Sequence, residues 1–197
     1  NEAERDNVVI SVPSGNYGNL SAGLMAWKMG LPVKRFIAAS NINRVVPDYL
    51  ESGSYKPRAA VRTLSNAMDV GDPSNFIRIR EMFQDDHQQM KALIRPFVAD
   101  DNQNRESIRD LYITGNYTAD PHGAIGYLAC RNLITQDETG IFLETAHPAK
   151  FKDIVEESIK ADVELPDYLR EIQDKPKKAV QMPADYREFK HWLTEKI

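Results

Sequence analysis

Residues 8–12, VVISV, form an apolar, largely β-branched run with almost no polar alternation, the pattern of a strand buried on both faces. Leu20, Leu24 and Trp27 then recur at helical spacing until Gly30 and Pro32 stop the periodicity, which predicts a helix over 20–28. Val33 to Ala39 reads as a second strand. Strand, loop, helix, strand is a βαβ crossover, and such a connection joins parallel neighbours in one sheet.

Asn43 is placed to cap a short helix through Tyr49, and glycine, proline and charge between Glu51 and Arg62 predict a loop. TLSNAMDV, residues 63–70, fits no single element. Pro73 is placed to open a helix whose apolar stripe is Phe76, Ile79, Met82 and Phe83. Helical spacing returns over 107–112 and over Pro121–Leu133, where Ile125, Leu128, Ala129 and Leu133 share a face. Gly140 introduces GIFLET, expected to be a short buried strand, and Pro148 to Lys160 reads as another helix.

This α/β order predicts one domain over 1–160. Helices over 166–172 and 184–197, joined by DKPKKAVQMP, predict a helical extension over 161–197. Tyr186, Phe189, Leu193 and Ile197 line one side of the last helix, a face expected to dock on the preceding domain.

Composition narrows the function. The chain has 197 residues, 42% hydrophobic and 27% charged, with net charge −4. No apolar run is long enough to cross a bilayer, so a membrane role is not expected. Nucleic acid is not expected as a partner either, because the only compact basic cluster, Lys175, Lys177 and Lys178, sits in a proline-containing loop. Cys130, in the helical stretch YLACRNLI, is the single cysteine, which excludes an intrachain disulfide, leaves no Cys-based zinc site and fits the reducing cytoplasm. His122 in DPHGA and His147 have no partner at i+4, so packing at helix ends is expected of both and no metal site is expected. The chain opens on Asn1 and enters a buried strand after seven residues, which reads as a piece of a longer protein.

The candidate chemistry lies between the first strand and the first helix, in SGNYGN, residues 14–19. Ligands of open α/β sheets sit beyond the C-terminal ends of the strands, where the following helix presents free N–H groups and the positive end of its dipole. Gly15 and Gly18 allow positive φ and close approach of a ligand to the backbone, while Asn16 and Asn19 tolerate left-handed geometry and bring amide donors. The other reading is a plain strand-to-helix turn with Asn19 as N-cap. The loop lacks the lysine of GxxxxGK[ST] and the spacing of GxGxxG, which leaves a phosphate monoester as the anion it suits. Far along the chain, in ETAHPAKF, Thr145 ends an apolar strand at the same edge of the sheet; helix capping and ligand contact are both open to it.

VPSGNYGNLSAG, MGLPVKRFIAAS, TLSNAMDV with PSN, DPHGAIGY and ETAHPAKF occur in this order and, with their spacing, resemble the threonine synthase family over residues 8 to about 160. The resemblance implies a three-layer fold-type-II architecture, a mostly parallel sheet with helices on both faces, and pyridoxal 5′-phosphate as cofactor. It implies conversion of O-phospho-L-homoserine and water to L-threonine and phosphate. Carried over motif by motif, Gly15, Asn16, Tyr17, Gly18 and Asn19 hold the cofactor phosphate through backbone N–H groups, and Thr145 faces the ring nitrogen. The family often has Phe at the position of Tyr17, a change expected to matter little to a backbone contact. Asn66 and Asp69 of SNAMD are substrate candidates by the same resemblance, against a reading as an ordinary polar turn.

The family's Schiff-base lysine lies ahead of the glycine loop, and no lysine of this chain sits in a matching motif. The chain is therefore expected to be the C-terminal portion of such an enzyme, to have no catalytic residue of its own, to need the N-terminal portion as partner, and to be inactive alone. Two rivals stand beside this reading: another fold-type-II enzyme such as threonine dehydratase or cysteine synthase, whose phosphate loops are richer in glycine, and a noncatalytic phosphate-ligand binding domain.

Overall fold

The computed structural model describes residues 7–173 and 175–196, and the chain forms two compact units, Asn1–Glu164 and Leu165–Ile197.

In the first unit, β1 (Val8–Pro13), α1 (Gly18–Lys28) and β2 (Arg35–Ser40) make the expected crossover. α2 (Val45–Ser52), a 3₁₀ turn at Asn66–Met68, α3 (Phe76–Met82), α4 (His87–Leu93) and β3 (Ile94–Val98) follow. Then come α5 (Asp101–Gly115), α6 (Pro121–Leu133), β4 (Thr139–Phe142), a 3₁₀ turn at Pro148–Phe151 and α7 (Lys152–Ile159). The sheet runs β3-β2-β1-β4 with every pair parallel.

The pleat of β2 explains the three layers, since successive side chains leave opposite faces of a strand. Phe36 and Ala38 enter a core with Leu20, Leu24, Leu50, Phe76 and Met90 on one face. Ile37 and Ala39 enter another with Val9, Met68, Ile125 and Ala129 on the other. A third cluster, with Ile108, Ala124, Val155 and Ile159, packs α5, α6 and α7 together.

Several expectations need correction. GIFLET is not a buried strand: β4 is an edge strand, Thr139 and Gly140 are exposed, and Ile141 is 45% exposed. Asn43 does not cap α2, whose N-cap is Arg44 without a side-chain bond. Pro73 lies before α3, which begins after Asn75. α4 and β3 escape the pattern because they are short and because Arg95 and Pro96 interrupt the apolar run; proline is tolerated in β3 because that strand is the other edge. α5 extends well beyond 107–112 because a capping box starts it, Asp100 accepting the Gln103 N–H while Gln103 accepts the Asp100 N–H.

The second unit holds α8 (Asp167–Gln173) and α9 (Tyr186–Lys196). Asp185 accepts the N–H groups of Arg187 and Glu188 at the start of α9, and Phe189 stacks on Trp192 with ring centroids 6.5 Å apart. Ile197, the fourth member of the expected apolar face, lies outside the described residues. No helix among the described residues is long and apolar enough to cross a membrane.

Phe36 is fully buried at the second position of β2, an inner strand of the sheet. Phe36→Ala should lower unfolding free energy by roughly 3–5 kcal/mol through lost burial and a cavity that the sheet cannot close. Urea denaturation reads this as a lower midpoint; an unchanged midpoint would contradict the placement of the core.

Candidate cofactor-phosphate site

Parallel neighbours deliver their carboxyl ends to the same side of a sheet. β1 pairs with β4 in the register Ser11↔Phe142, and the ladder continues as the Leu143 N–H donates to the Ser11 carbonyl at 3.0 Å. The loop after β1 and the residues after β4 therefore emerge side by side. A cleft of about 260 Å³ opens there, lined by Gly15–Asn19 and Thr145, with Ala67, Met68, Asn75 and His122 among its other walls. Residues 15–19 and Thr145, more than a hundred positions apart in sequence, thus meet at one cleft.

The loop achieves its shape differently from expectation. Neither Gly15 nor Gly18 has positive φ; the left-handed residue is Tyr17, at φ 62°. This costs energy for a residue with a Cβ, and burial of the ring offsets it. Tyr17 packs edge-on to Phe76, and its hydroxyl is 2.8 Å from Ser40 Oγ. Burial pushes that phenol up, against the lowering effect of the Ser40 bond. The side chain of Tyr17 is thus part of the core, which a backbone contact alone would not require. Gly15 serves close approach: a Cβ there would lie 2.4 Å from Met68 Cα.

Asn19 is not the N-cap. Tyr17 holds that position with no side-chain bond to the helix, so the helix starts uncapped and the N–H groups of residues 15–19 meet no acceptor among the described residues. Asn16 is anchored instead, its Oδ1 accepting the Ser74 N–H at 2.7 Å and the Ser74 hydroxyl at 3.1 Å. Capping after β4 falls to His147, whose Nδ1 accepts the Ala149 N–H at 3.1 Å, while Thr145 is exposed.

Of the two substrate candidates, Asp69 is engaged in a scaffold. Its carboxylate accepts from Asn41 Nδ2 (2.9 Å), Asn43 Nδ2 (3.0 Å), the Thr63 hydroxyl (2.7 Å) and the Thr63 N–H (2.9 Å). That network ties the loop after β2 to the turn that carries Ala67 and Met68. Asn66 is exposed and does not line the cleft. Arg78 and Arg80 stay at the surface, bonded to Asn75 and Asp85.

Sequence reasoning missed His122 as a wall of the cleft. It is 3% exposed, its Nδ1 bonds to Asp120, and its Nε2 accepts the Ala67 N–H at 3.3 Å. The signal was the aspartate two residues earlier in DPHG. Asp120 in turn lies beside Glu144. Burial, and next the proximity of Asp120, push the Glu144 carboxyl up to about 9. Burial works against ionisation of Asp120 as well, but hydrogen bonds from His122 and Glu144 outweigh it and hold that carboxyl below its ordinary value.

Comparison with known proteins bears on this site. Residues 123–192 match the family described as threonine synthase, C-terminal. Threonine synthase of Escherichia coli (strain K12) is 47% identical over 92% of this chain and 42% of its own length. That of Serratia marcescens is 46% identical over 96% of the chain and 44% of its own. Among solved structures, threonine synthase from Escherichia coli superposes with TM-score 0.90 at 43% identity, covering 100% of this chain and 46% of that one. PLP-bound threonine synthase from Brucella melitensis superposes with TM-score 0.85 at 26% identity, covering 95% of this chain and 46% of that one. A threonine deaminase shares the fold at 17% identity and TM-score 0.52. The chain spans under half the length of the curated relatives it matches.

Two outcomes are expected. Gly15→Ala forces the Met68 backbone away and should cost roughly 1–3 kcal/mol of stability, measured by thermal unfolding; an unchanged melting temperature would contradict the contact. Glu144 holds a proton in the folded state that the unfolded chain releases near its ordinary value of 4.5. Stability should therefore fall as pH rises from that value toward about 9 and level off above. Glu144→Gln should flatten this part of the profile in urea titrations run at several pH values.

Proposed function

We infer that this chain, which belongs to the threonine synthase family, carries the phosphate-binding and ring-nitrogen side of a pyridoxal 5′-phosphate site. With the remaining portion of such an enzyme, it acts in converting O-phospho-L-homoserine and water to L-threonine and phosphate. The observation that supports this most is the shared cleft of Gly15–Asn19 and Thr145.

The residues suit the cofactor by their own chemistry. Five consecutive backbone amides at an uncapped helix start favour a phosphate ester dianion, through directed donors and the helix dipole together. The exposed hydroxyl of Thr145 suits a pyridine nitrogen, as donor or as acceptor. Bound pyridoxal phosphate supplies the electron-withdrawing ring on which the chemistry at the amino-acid substrate depends. Gly15 to Asn19 fix where that ring lies by holding its phosphate. Thr145, being neutral, places no negative charge opposite the ring nitrogen and so does not stabilise a proton there, which tempers the electron sink.

No lysine among the described residues lines the cleft. The covalent lysine then comes from the other portion of the enzyme, and this chain alone does not turn over. Asn66 stays a substrate candidate, exposed beside Ala67, whereas Asp69 serves to hold the wall. We place the enzyme in the cytoplasm, where the single buried thiol of Cys130 stays reduced. A noncatalytic phosphate-binding module is the second reading, favoured by the same absence of lysine from the cleft.

The test mixes the purified chain with the N-terminal portion of a threonine synthase and pyridoxal phosphate. The expected result is a covalent cofactor absorbance band and phosphate release from O-phospho-L-homoserine in the mixture, and neither with the chain alone. Turnover by the chain alone would refute the division of labour; no band and no release in the mixture would favour the binding module.

A further inference from the structure

Asn75 stands on the wall of the cleft, partly buried, at the N-cap position of α3. Asparagine is among the residues that cap helices best, yet Asn75 makes no side-chain bond to α3. Its Oδ1 accepts from Arg78 Nη1 at 2.8 Å instead. A guanidinium has donors only, so this bond settles which end of the amide is the oxygen and turns the NH2 end away from Arg78. Nδ2 then lies against the start of α1: a Cβ placed on Gly18 would be 3.4 Å from it. Among the described residues Nδ2 donates to no acceptor, Oδ1 being the side-chain atom of Asn75 that is bonded.

The placement is secured on both sides. Asn16 Oδ1 accepts the Ser74 N–H at 2.7 Å and the Ser74 hydroxyl at 3.1 Å, and Tyr17 packs edge-on to Phe76 with ring centroids 6.3 Å apart. Residues 16 and 17 thus hold both chain neighbours of Asn75, which sets residue 75 beside residue 18. Arg78 itself does not line the cleft.

We propose that Asn75 is a side-chain donor to the phosphate received at the start of α1, and that Arg78 is a positioning residue that fixes which end of the Asn75 amide faces the cleft. The inference rests on the cofactor-phosphate reading and adds to it a second direction of approach. A phosphate monoester has several terminal oxygens; the backbone N–H groups reach it from the end of α1, and an NH2 on a separate loop reaches an oxygen from another side. A hydrogen bond to an ionised acceptor is stronger than one between neutral groups, so one added donor counts. The surface bond of Arg78 thereby acquires a role at the cleft without bringing its charge there.

The test is binding of pyridoxine 5′-phosphate to the full chain, followed by nuclear magnetic resonance of the backbone amides and the asparagine side-chain NH2 groups. This probe lacks the aldehyde and does not react with surface lysines; pyridoxine, without the phosphate, is the control. The phosphorylated probe alone should shift the amides of residues 15–19 and the Asn75 Nδ2 signals together. Asn75→Ala removes no cap bond, so it should change thermal unfolding little while weakening binding roughly tenfold. Asn75→Asp, of the same shape but with a charged acceptor where the donor was, should weaken it further. Arg78→Met should weaken binding in the unsubstituted chain and not in Asn75→Ala; an equal loss in both backgrounds would mean that the guanidinium attracts the anion directly, and the positioning role falls. If the amides of 15–19 respond while Asn75 Nδ2 does not, or if Asn75→Ala binds as tightly as the unsubstituted chain, this inference is overturned and the cofactor reading stands. If Asn75→Ala does not fold, the Nδ2 response of the unsubstituted chain decides. If neither group of signals responds to the phosphorylated probe, the cofactor reading fails and this inference with it.

Discussion

The parallel pairing of β1 with β4 is the constraint on which the cleft depends. It alone brings a loop at residues 14–19 beside a threonine at 145, and a slip of one residue would turn every side chain of β4 to the opposite face. β4 is short and exposed, so its ladder bonds do not secure the register unaided. Glu138, just ahead of β4, is clamped by Arg35 at the start of β2 and by Lys34 at 3.0 Å. The Arg35 bond, more than any other effect, holds the Glu138 carboxyl down at about 2. Arg35 also donates to the Leu133 carbonyl at 2.7 Å, so one guanidinium ties the end of α6 and the entry to β4 to the middle of the sheet.

Two glycines then set how closely the walls approach. Gly15 admits the Met68 backbone where a methyl group would collide, and Gly123 leaves room for the mobile end of the Glu144 side chain. The polar cluster of Asn41, Asn43, Thr63, Ser65 and Asp69 keeps the Met68 turn in place from the far side. Asn41 Nδ2 alone reaches Thr63 Oγ1 at 2.9 Å, Ser65 Oγ at 3.1 Å and Asp69 Oδ1 at 2.9 Å. A buried network this fully satisfied fixes one geometry, because rotating any member strands another.

The elements with strong periodicity were legible in the sequence. VVISV and the helix at 20–28 mark the crossover, and Pro121–Leu133 has the bounds its pattern gives, since Asp120 and Pro121 define its start chemically. What escaped was set by neighbours. β3 looks unlike a strand until its edge position makes Pro96 acceptable, and GIFLET looks buried until β4 proves to be the other edge. In the loop at 14–19 the positive φ expected of the glycines falls instead on Tyr17, whose ring has a core to enter, which no local pattern reveals. Asp69 stands in a polar cluster of the sequence, and the partners its carboxylate takes at 41, 43 and 63 come from the chain folding back.

The cleft and its surroundings divide charge in a consistent way. No lysine or arginine among the described residues lines the cleft, so the donors it offers an anion are first the backbone amides at the start of α1, which are fixed in direction. Behind the wall, the Asp120 carboxylate caps the N-terminus of α6, where the dipole of that helix favours its negative charge, while burial and the nearby Asp120 push the Glu144 carboxyl up. A second ionised carboxylate would add repulsion directly behind Thr145, whose neighbour in sequence is Glu144, and would weaken the hold on an anion across the wall. The upward push on the Glu144 carboxyl acts in the opposite sense, lowering the negative charge behind the wall.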